Sequence, residues 1–72
     1  MRKNFLNYSV TYDHASGMHK EKIFNDLETA QSFYEKIKAK DETTELRSNY
    51  RGVIGLYWII LAEHHKTEEV TI

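Results

Sequence analysis

Apolar and polar side chains alternate strictly over residues 6–12. A period of two among β-branched and aromatic residues predicts a strand that is covered on one face only. Residues 13–17, with the sequence Asp-His-Ala-Ser-Gly, predict a turn in which Gly17 can adopt a positive φ angle. A second strand over residues 18–24 would complete a hairpin.

Residues 27–40 carry apolar side chains at helical spacing. Together these positions cover about a third of a helical wheel, which is typical of a helix that packs one face on a sheet. Asp26 precedes them as an N-cap, because its carboxylate can accept hydrogen bonds from the first free amides. The apolar positions are Leu27, Ala30, Phe33, Tyr34 and Ile37.

Two further strands are predicted after the helix, over residues 44–49 and 53–63, with Leu46 as the clearest apolar anchor of the first. Residues 50–52 predict the turn between them. The element order β-β-α-β-β predicts a two-layer α+β fold with one amphipathic helix packed on a mainly antiparallel sheet. The chain would form a single domain over residues 1–72, with residues 66–72 either a frayed tail or a short edge strand.

The last predicted strand is apolar on both faces, whereas one helix can cover only one face of a sheet. Ile54, Leu56, Trp58 and Ile60 share one face, and Val53, Tyr57, Ile59 and Leu61 share the other. We expect the second face to lie away from the helix, covered by loops and the tail, by a second copy of the chain, or by a different protein. Trp58 fits equally well beneath the helix and at an interface. The predicted partner-binding residues are Tyr50, Arg51, Tyr57, Ile59 and Leu61.

Composition narrows the function classes. The chain has 72 residues, no cysteine and a net charge of −1. Disulfides, zinc ribbons and thiol catalysis are excluded, and the charge does not suit a dedicated nucleic-acid binder. The N-terminus does not resemble a signal peptide, and the longest apolar run is about half of a membrane-spanning helix. These features predict a soluble, cytoplasmic protein with no membrane partner.

The sequence contains histidine, serine and aspartate residues, but their spacing does not match a known metal site or catalytic site. Four histidines, at positions 14, 19, 64 and 65, show no metal-ligand spacing. Asp13, His14 and Ser16 could form a hydrolytic triad on paper, but they share one short loop and lack an oxyanion-hole motif. We therefore predict no enzyme activity, no cofactor and no metal.

Nucleic-acid binding is the alternative hypothesis for the same sheet face. A sheet that displays aromatic rings can stack the bases of a single strand. The alternative is therefore a nucleic-acid-associated regulatory protein, although the sequence lacks an RNP-like motif. The residues that would serve it are Phe5, Tyr50 and Tyr57, with Arg2, Lys3, Arg47 and Arg51.

The stretch over residues 8–40, about half of the chain, resembles small accessory proteins of phages and other mobile elements. In these, a short hairpin leads through a pattern Phe-x-Asp-Leu-Glu-x-Ala-x-x-Phe-Tyr into a helix, which here begins at Phe24 and ends at Tyr34. The resemblance implies a protein that works by binding, in the style of anti-CRISPR and related inhibitors of host defence proteins such as CRISPR-Cas effectors. It concerns folding signals and therefore assigns no functional residue.

Overall fold

The computed structural model describes residues 4–13 and 17–67. Within these residues the chain forms a four-stranded antiparallel sheet and one helix, so the predicted α+β class and the β-β-α-β-β order are confirmed. The remaining parts of the predicted turn and tail, residues 14–16 and 68–72, lie outside the described residues. The elements are β1 Phe5–Asp13, β2 His19–Phe24, α1 Leu27–Lys38, β3 Thr44–Arg51 and β4 Leu56–His64.

The connection between β3 and β4 differs from the prediction. Tyr50 and Arg51 still belong to β3, and β4 begins only at Leu56, so the prediction of strand over residues 53–55 is wrong. The chain turns through residues 52–55, where the Gly52 amide donates a 2.6 Å hydrogen bond to the Gly55 carbonyl. A Cβ on Gly52 would lie 3.1 Å from that oxygen and from the Tyr57 ring, so a larger residue here would require its neighbours to shift by a few tenths of an ångström.

The helix begins where the sequence predicts. The carboxylate of Asp26 accepts hydrogen bonds from the amide and hydroxyl of Thr29, both at 2.8 Å. These bonds favour the ionised carboxyl and lower the pKa of Asp26 below its ordinary value. The helix ends at Lys38, and Asp41, with a φ angle of 58°, then turns the chain toward β3.

The strand order in the sheet is β2-β1-β3-β4, with every neighbouring pair antiparallel. The helical connection carries the chain from the edge strand β2 past β1 to β3. The helix packs mainly against β1, β3 and β2. This arrangement leaves β4 as the second edge, beyond the part of the sheet that the helix covers.

The core lies between the helix and the two central strands. Val10 and Leu46 face each other across β1 and β3, and they pack with Ala30 and Tyr34 of the helix. Of the five predicted helix positions, Ala30, Tyr34 and Ile37 are buried and Phe33 packs at the core margin, whereas Leu27 is exposed.

Candidate interaction surface

β4 exposes a continuous run of large apolar side chains. Each of the six residues at positions 56–61 is between 43% and 70% exposed. Both alternating faces of the strand are therefore bare, because β4 is at the sheet edge and the helix lies over the other strands. Exposed apolar residues are ordinary when scattered, but six in succession form a patch of the kind that marks an interaction site.

The register of the sheet assigns the two faces of β4. Tyr57 and Ile59 lie opposite Tyr50 and Ser48, and Ser48 in turn lies opposite Tyr8, which packs against the core. Paired residues of an antiparallel sheet share a face. Tyr57 and Ile59 are thus on the face that carries the helix, and the prediction that they face away from it is wrong. They are exposed because the helix is centred on β1 and β3.

The opposite face of β4 carries Trp58 and Ile60, which pair with Asn49 and Arg47. The alternative that places Trp58 beneath the helix is therefore wrong. The Arg47 guanidinium lies 4.4 Å from the centroid of the Trp58 ring, in the geometry of a cation–π contact. It also donates hydrogen bonds of 2.7 and 2.9 Å to the Glu45 carboxylate.

A row of aromatic rings crosses β1, β3 and β4 on the helix-bearing face. The centroid distances are 4.8 Å from Tyr8 to Phe5, 5.8 Å from Phe5 to Tyr50 and 5.2 Å from Tyr50 to Tyr57. The last two rings are stacked, with planes 14° apart. Such contacts hold the rings in fixed positions at the open end of the sheet. The fold thus brings together Tyr50 and Tyr57, two of the predicted partner-binding residues.

The predicted partner-binding residues Arg51 and Leu61 lie at different ends of this surface. Arg51 is exposed at the end of β3, opposite Leu56. Leu61 occupies a bulge in β4, because Ile60 pairs with Arg47 while Ala62 pairs with Leu46. An extra residue of this kind changes which face the following side chains occupy. After the bulge, Ala62 packs against the core.

Sequence reasoning missed a polar cluster on the face opposite the helix. The Asn49 side-chain amide donates hydrogen bonds of 2.8 Å to Asn7 Oδ1 and 3.2 Å to Ser9 Oγ. The alternation of Asn7, Ser9 and Thr11 in β1 signalled a polar face, but their partners in β3 required the register. Asn49 pairs with Trp58 across β3 and β4, so this cluster lies beside Trp58 on that face.

A second polar cluster joins the far end of β4 to the segment after the helix. Asp41 Oδ1 lies 2.8 Å from His64 Nε2, and the Asp41 carboxylate accepts from the amide and hydroxyl of Thr67 at 3.1–3.2 Å. The hydrogen bond with His64, followed by those from Thr67, holds the pKa of the Asp41 carboxyl below its ordinary value of 3.8.

The Asp41→Asn variant tests this cluster. Because the folded state lowers the pKa of Asp41, the ionised carboxylate stabilises the fold above about pH 4, and this contribution is lost as pH falls through the folded pKa. Asparagine tolerates the positive φ angle, so the substitution isolates the charge. The difference in Tm between wild type and variant should be largest at neutral pH and shrink below the ordinary value of 3.8. A Tm difference that stays constant from neutral to acid pH would contradict the role of the carboxylate.

The three histidines that the structure describes lie close to carboxylates. His19 lies 3.0 Å from Asp13, and His65 lies 3.2 Å from Glu63, both in exposed positions. Among residues 4–13 and 17–67, no group of three or more histidine, aspartate or glutamate side chains could hold a metal ion. His14 and Ser16, two members of the triad considered from sequence, lie outside the described residues.

No protein-family model, curated protein or solved structure matches this chain. In the part of the chain that the structure describes, no helix has the length and apolar character needed to cross a membrane. Function is therefore inferred from the surface of β4 itself.

Proposed function

We propose that the protein is a non-enzymatic protein-binding module of the cytoplasm, and that β4 and the end of β3 form its binding surface. The observation that carries this proposal is the run of six exposed apolar residues at positions 56–61. The stacked Tyr50 and Tyr57 rings, and Arg51 on the opposite face at the end of β3, add residue types that are enriched at binding hot spots.

The two edges of the sheet support a binding mode in which a partner adds a strand. β2 carries Lys20, Glu21 and Lys22, and charges of this kind protect an edge from pairing with another chain. β4 has no charged residue from Leu56 to Ala62. An added strand would hydrogen-bond to the outer backbone of β4, while its side chains contact the apolar residues on both faces.

The resemblance to accessory proteins of phages and mobile elements suggests what such a partner does. A small protein that occupies a functional surface of a larger one inhibits it without catalysis. On this basis the proposed role is a phage-type inhibitor of a host defence protein such as a CRISPR-Cas effector.

The aromatic row favours one alternative, a nucleic-acid-associated regulatory protein that stacks bases on Phe5, Tyr50 and Tyr57. The positions of the positive charges give this nucleic-acid alternative less support. Arg47 already pairs with Glu45 and covers Trp58, on the other face of the sheet. Binding of this type would weaken steeply with salt, whereas binding through an apolar strand would not.

The proposal is tested with Ile59→Lys and a matched control, Ile23→Lys. Both isoleucines are in edge strands and are about half exposed, at 49% and 53%. Each variant and the wild type would serve as bait in a bacterial extract, and captured proteins would then be purified and titrated directly. We expect Ile59→Lys to weaken binding roughly tenfold or more, because a charge would be buried without a partner, and Ile23→Lys to bind like the wild type.

Two results would overturn the proposal. One is a partner that binds all three proteins equally, which would place its site away from β4. The other is salt-dependent binding of single-stranded oligonucleotides that Tyr50→Ala and Tyr57→Ala abolish, which would favour the nucleic-acid alternative.

A further inference from the structure

The sequence of β4 is complementary to itself. Residues 56–60 form the regular part of the strand, before the bulge at Leu61, and Trp58 is their midpoint. In an antiparallel pair related by a two-fold axis at Trp58, Leu56 would lie opposite Ile60, and Tyr57 opposite Ile59. Each pair shares a face, and each is apolar with apolar.

The charges on the two edge strands favour pairing of β4 with β4 of the second copy over pairing of β4 with β2. Pairing β4 with β2 of a second copy would set the lysines and glutamate of β2 against apolar side chains. Pairing β4 with β4 brings no charge from residues 56–60 into contact. The glutamate of β4, Glu63, lies beyond the paired segment and is half exposed.

The exposed apolar area lies at the lower end of what a stable dimer buries. Residues 56–61 are 43–70% exposed, so at about 150–250 Å² for each fully exposed large side chain they present roughly 600 Å² per copy. A typical stable interface buries about 800 Å² on each partner. Val53 and Ile54, fully exposed at the β3–β4 turn, extend the apolar surface further.

We propose that the partner strand of β4 is β4 of a second copy, in a two-fold symmetric dimer with Trp58 beside its own symmetry mate. This inference rests on the proposed function, since it keeps β4 as the protein-binding surface, but it makes a second copy of the chain, and not a host protein, the strand that pairs with the β4 edge. The two sheets would join into one, with both helices on the same face and Tyr57 and Ile59 of each copy between them. Dimerisation would also add apolar burial to a domain whose own core is small.

The chain has a single tryptophan, so its fluorescence reports the interface directly. Sedimentation equilibrium of the wild type should give twice the chain mass of 8.6 kDa. Dilution should shift the mass toward that of the monomer and the Trp58 emission to longer wavelength. Both changes should have their midpoint at the same protein concentration. Ile59→Lys should weaken association roughly a hundredfold, about tenfold for each of the two buried charges, while Ile23→Lys should remain dimeric.

The register is tested by cross-linking, because the chain has no cysteine of its own. Tyr57→Cys and Ile59→Cys, mixed and mildly oxidised, should form a mixed disulfide, since the two positions would lie directly opposite. Each variant alone should cross-link poorly, because identical positions would be offset by two residues and too far apart. This measurement leaves Trp58 in place.

The outcomes separate this inference from the proposed function. A wild type that stays monomeric at every concentration, with constant Trp58 emission, would overturn the dimer. If that monomer binds another protein and Ile59→Lys does not, the proposed function stands without the dimer. A dimer that Ile23→Lys disrupts and Ile59→Lys does not would place the interface on β2 and overturn the inference. If Ile59→Lys does not fold, the dilution and cross-linking results decide.

Discussion

Leu46→Ala is expected to leave a large fraction of the chain unfolded at room temperature. Leu46 is 3% exposed, lies opposite Val10 in the centre of the sheet, and packs with Ala30 and Tyr34. Truncating a buried leucine costs about 2–5 kcal/mol, through lost burial and the cavity left behind. Small domains are stable by about 5–15 kcal/mol in total, and those of this size tend to the lower end.

Urea unfolding followed by circular dichroism measures this loss. The matched control is Ile23→Ala, which removes a half-exposed side chain from β2 and should cost less than about 1 kcal/mol. Equal losses in the two variants would show that stability does not depend on the contact between the helix and the central strands.

The elements near each other in sequence were predictable because their signals are local. Alternation defined β1, and the spacing of Ala30, Tyr34 and Ile37 defined the buried face of the helix. The Asp26 cap follows from one side chain and the amide three residues later. These features depend on neighbouring residues and do not require the sheet.

The candidate surface was predictable only in part. The apolar content of β4 showed that one helix could not cover it, and Tyr50, Tyr57 and Ile59 do lie together near the exposed end. The face predicted for Tyr57 and Ile59 was wrong because the face depends on strand order and on how far a 12-residue helix reaches across the sheet. Strand order and helix position are non-local properties, and the alternation of side chains along one strand does not reveal them.

Other features of the fold leave no pattern in a single sequence from which they could be predicted. The bulge at Leu61 depends on the pairing of β3 with β4, and the positive φ angle of Asp41 depends on how the chain leaves the helix. Ser48 is buried on the helix-bearing face, and its hydroxyl has no hydrogen-bond partner among the residues that the structure describes. It lies between Tyr8 and Ile59, at the boundary between the core and the bare part of β4.

Tyr34→Ala is expected to destabilise the protein as strongly as Leu46→Ala, whereas Tyr34→Phe should be close to neutral at pH 7. Tyr34 is 3% exposed and is the largest residue that the helix contributes to the core cluster. Replacing a buried aromatic ring with alanine costs about 3–5 kcal/mol. Phenylalanine keeps the ring, so urea unfolding of the pair separates packing from the hydroxyl.

The phenylalanine variant should also change the response to alkali. Burial, together with the carboxylates of Glu35 and Glu63, raises the pKa of the Tyr34 phenol above its ordinary value of 10.0. The folded state therefore favours the neutral phenol, and this contribution is present below pH 10 and is lost as pH rises toward the folded pKa. The wild type should lose Tm more steeply than Tyr34→Phe above pH 10, although the two respond alike at neutral pH. Because the two proteins differ only in this hydroxyl, parallel Tm curves would mean that the Tyr34 hydroxyl reaches solvent in the folded state.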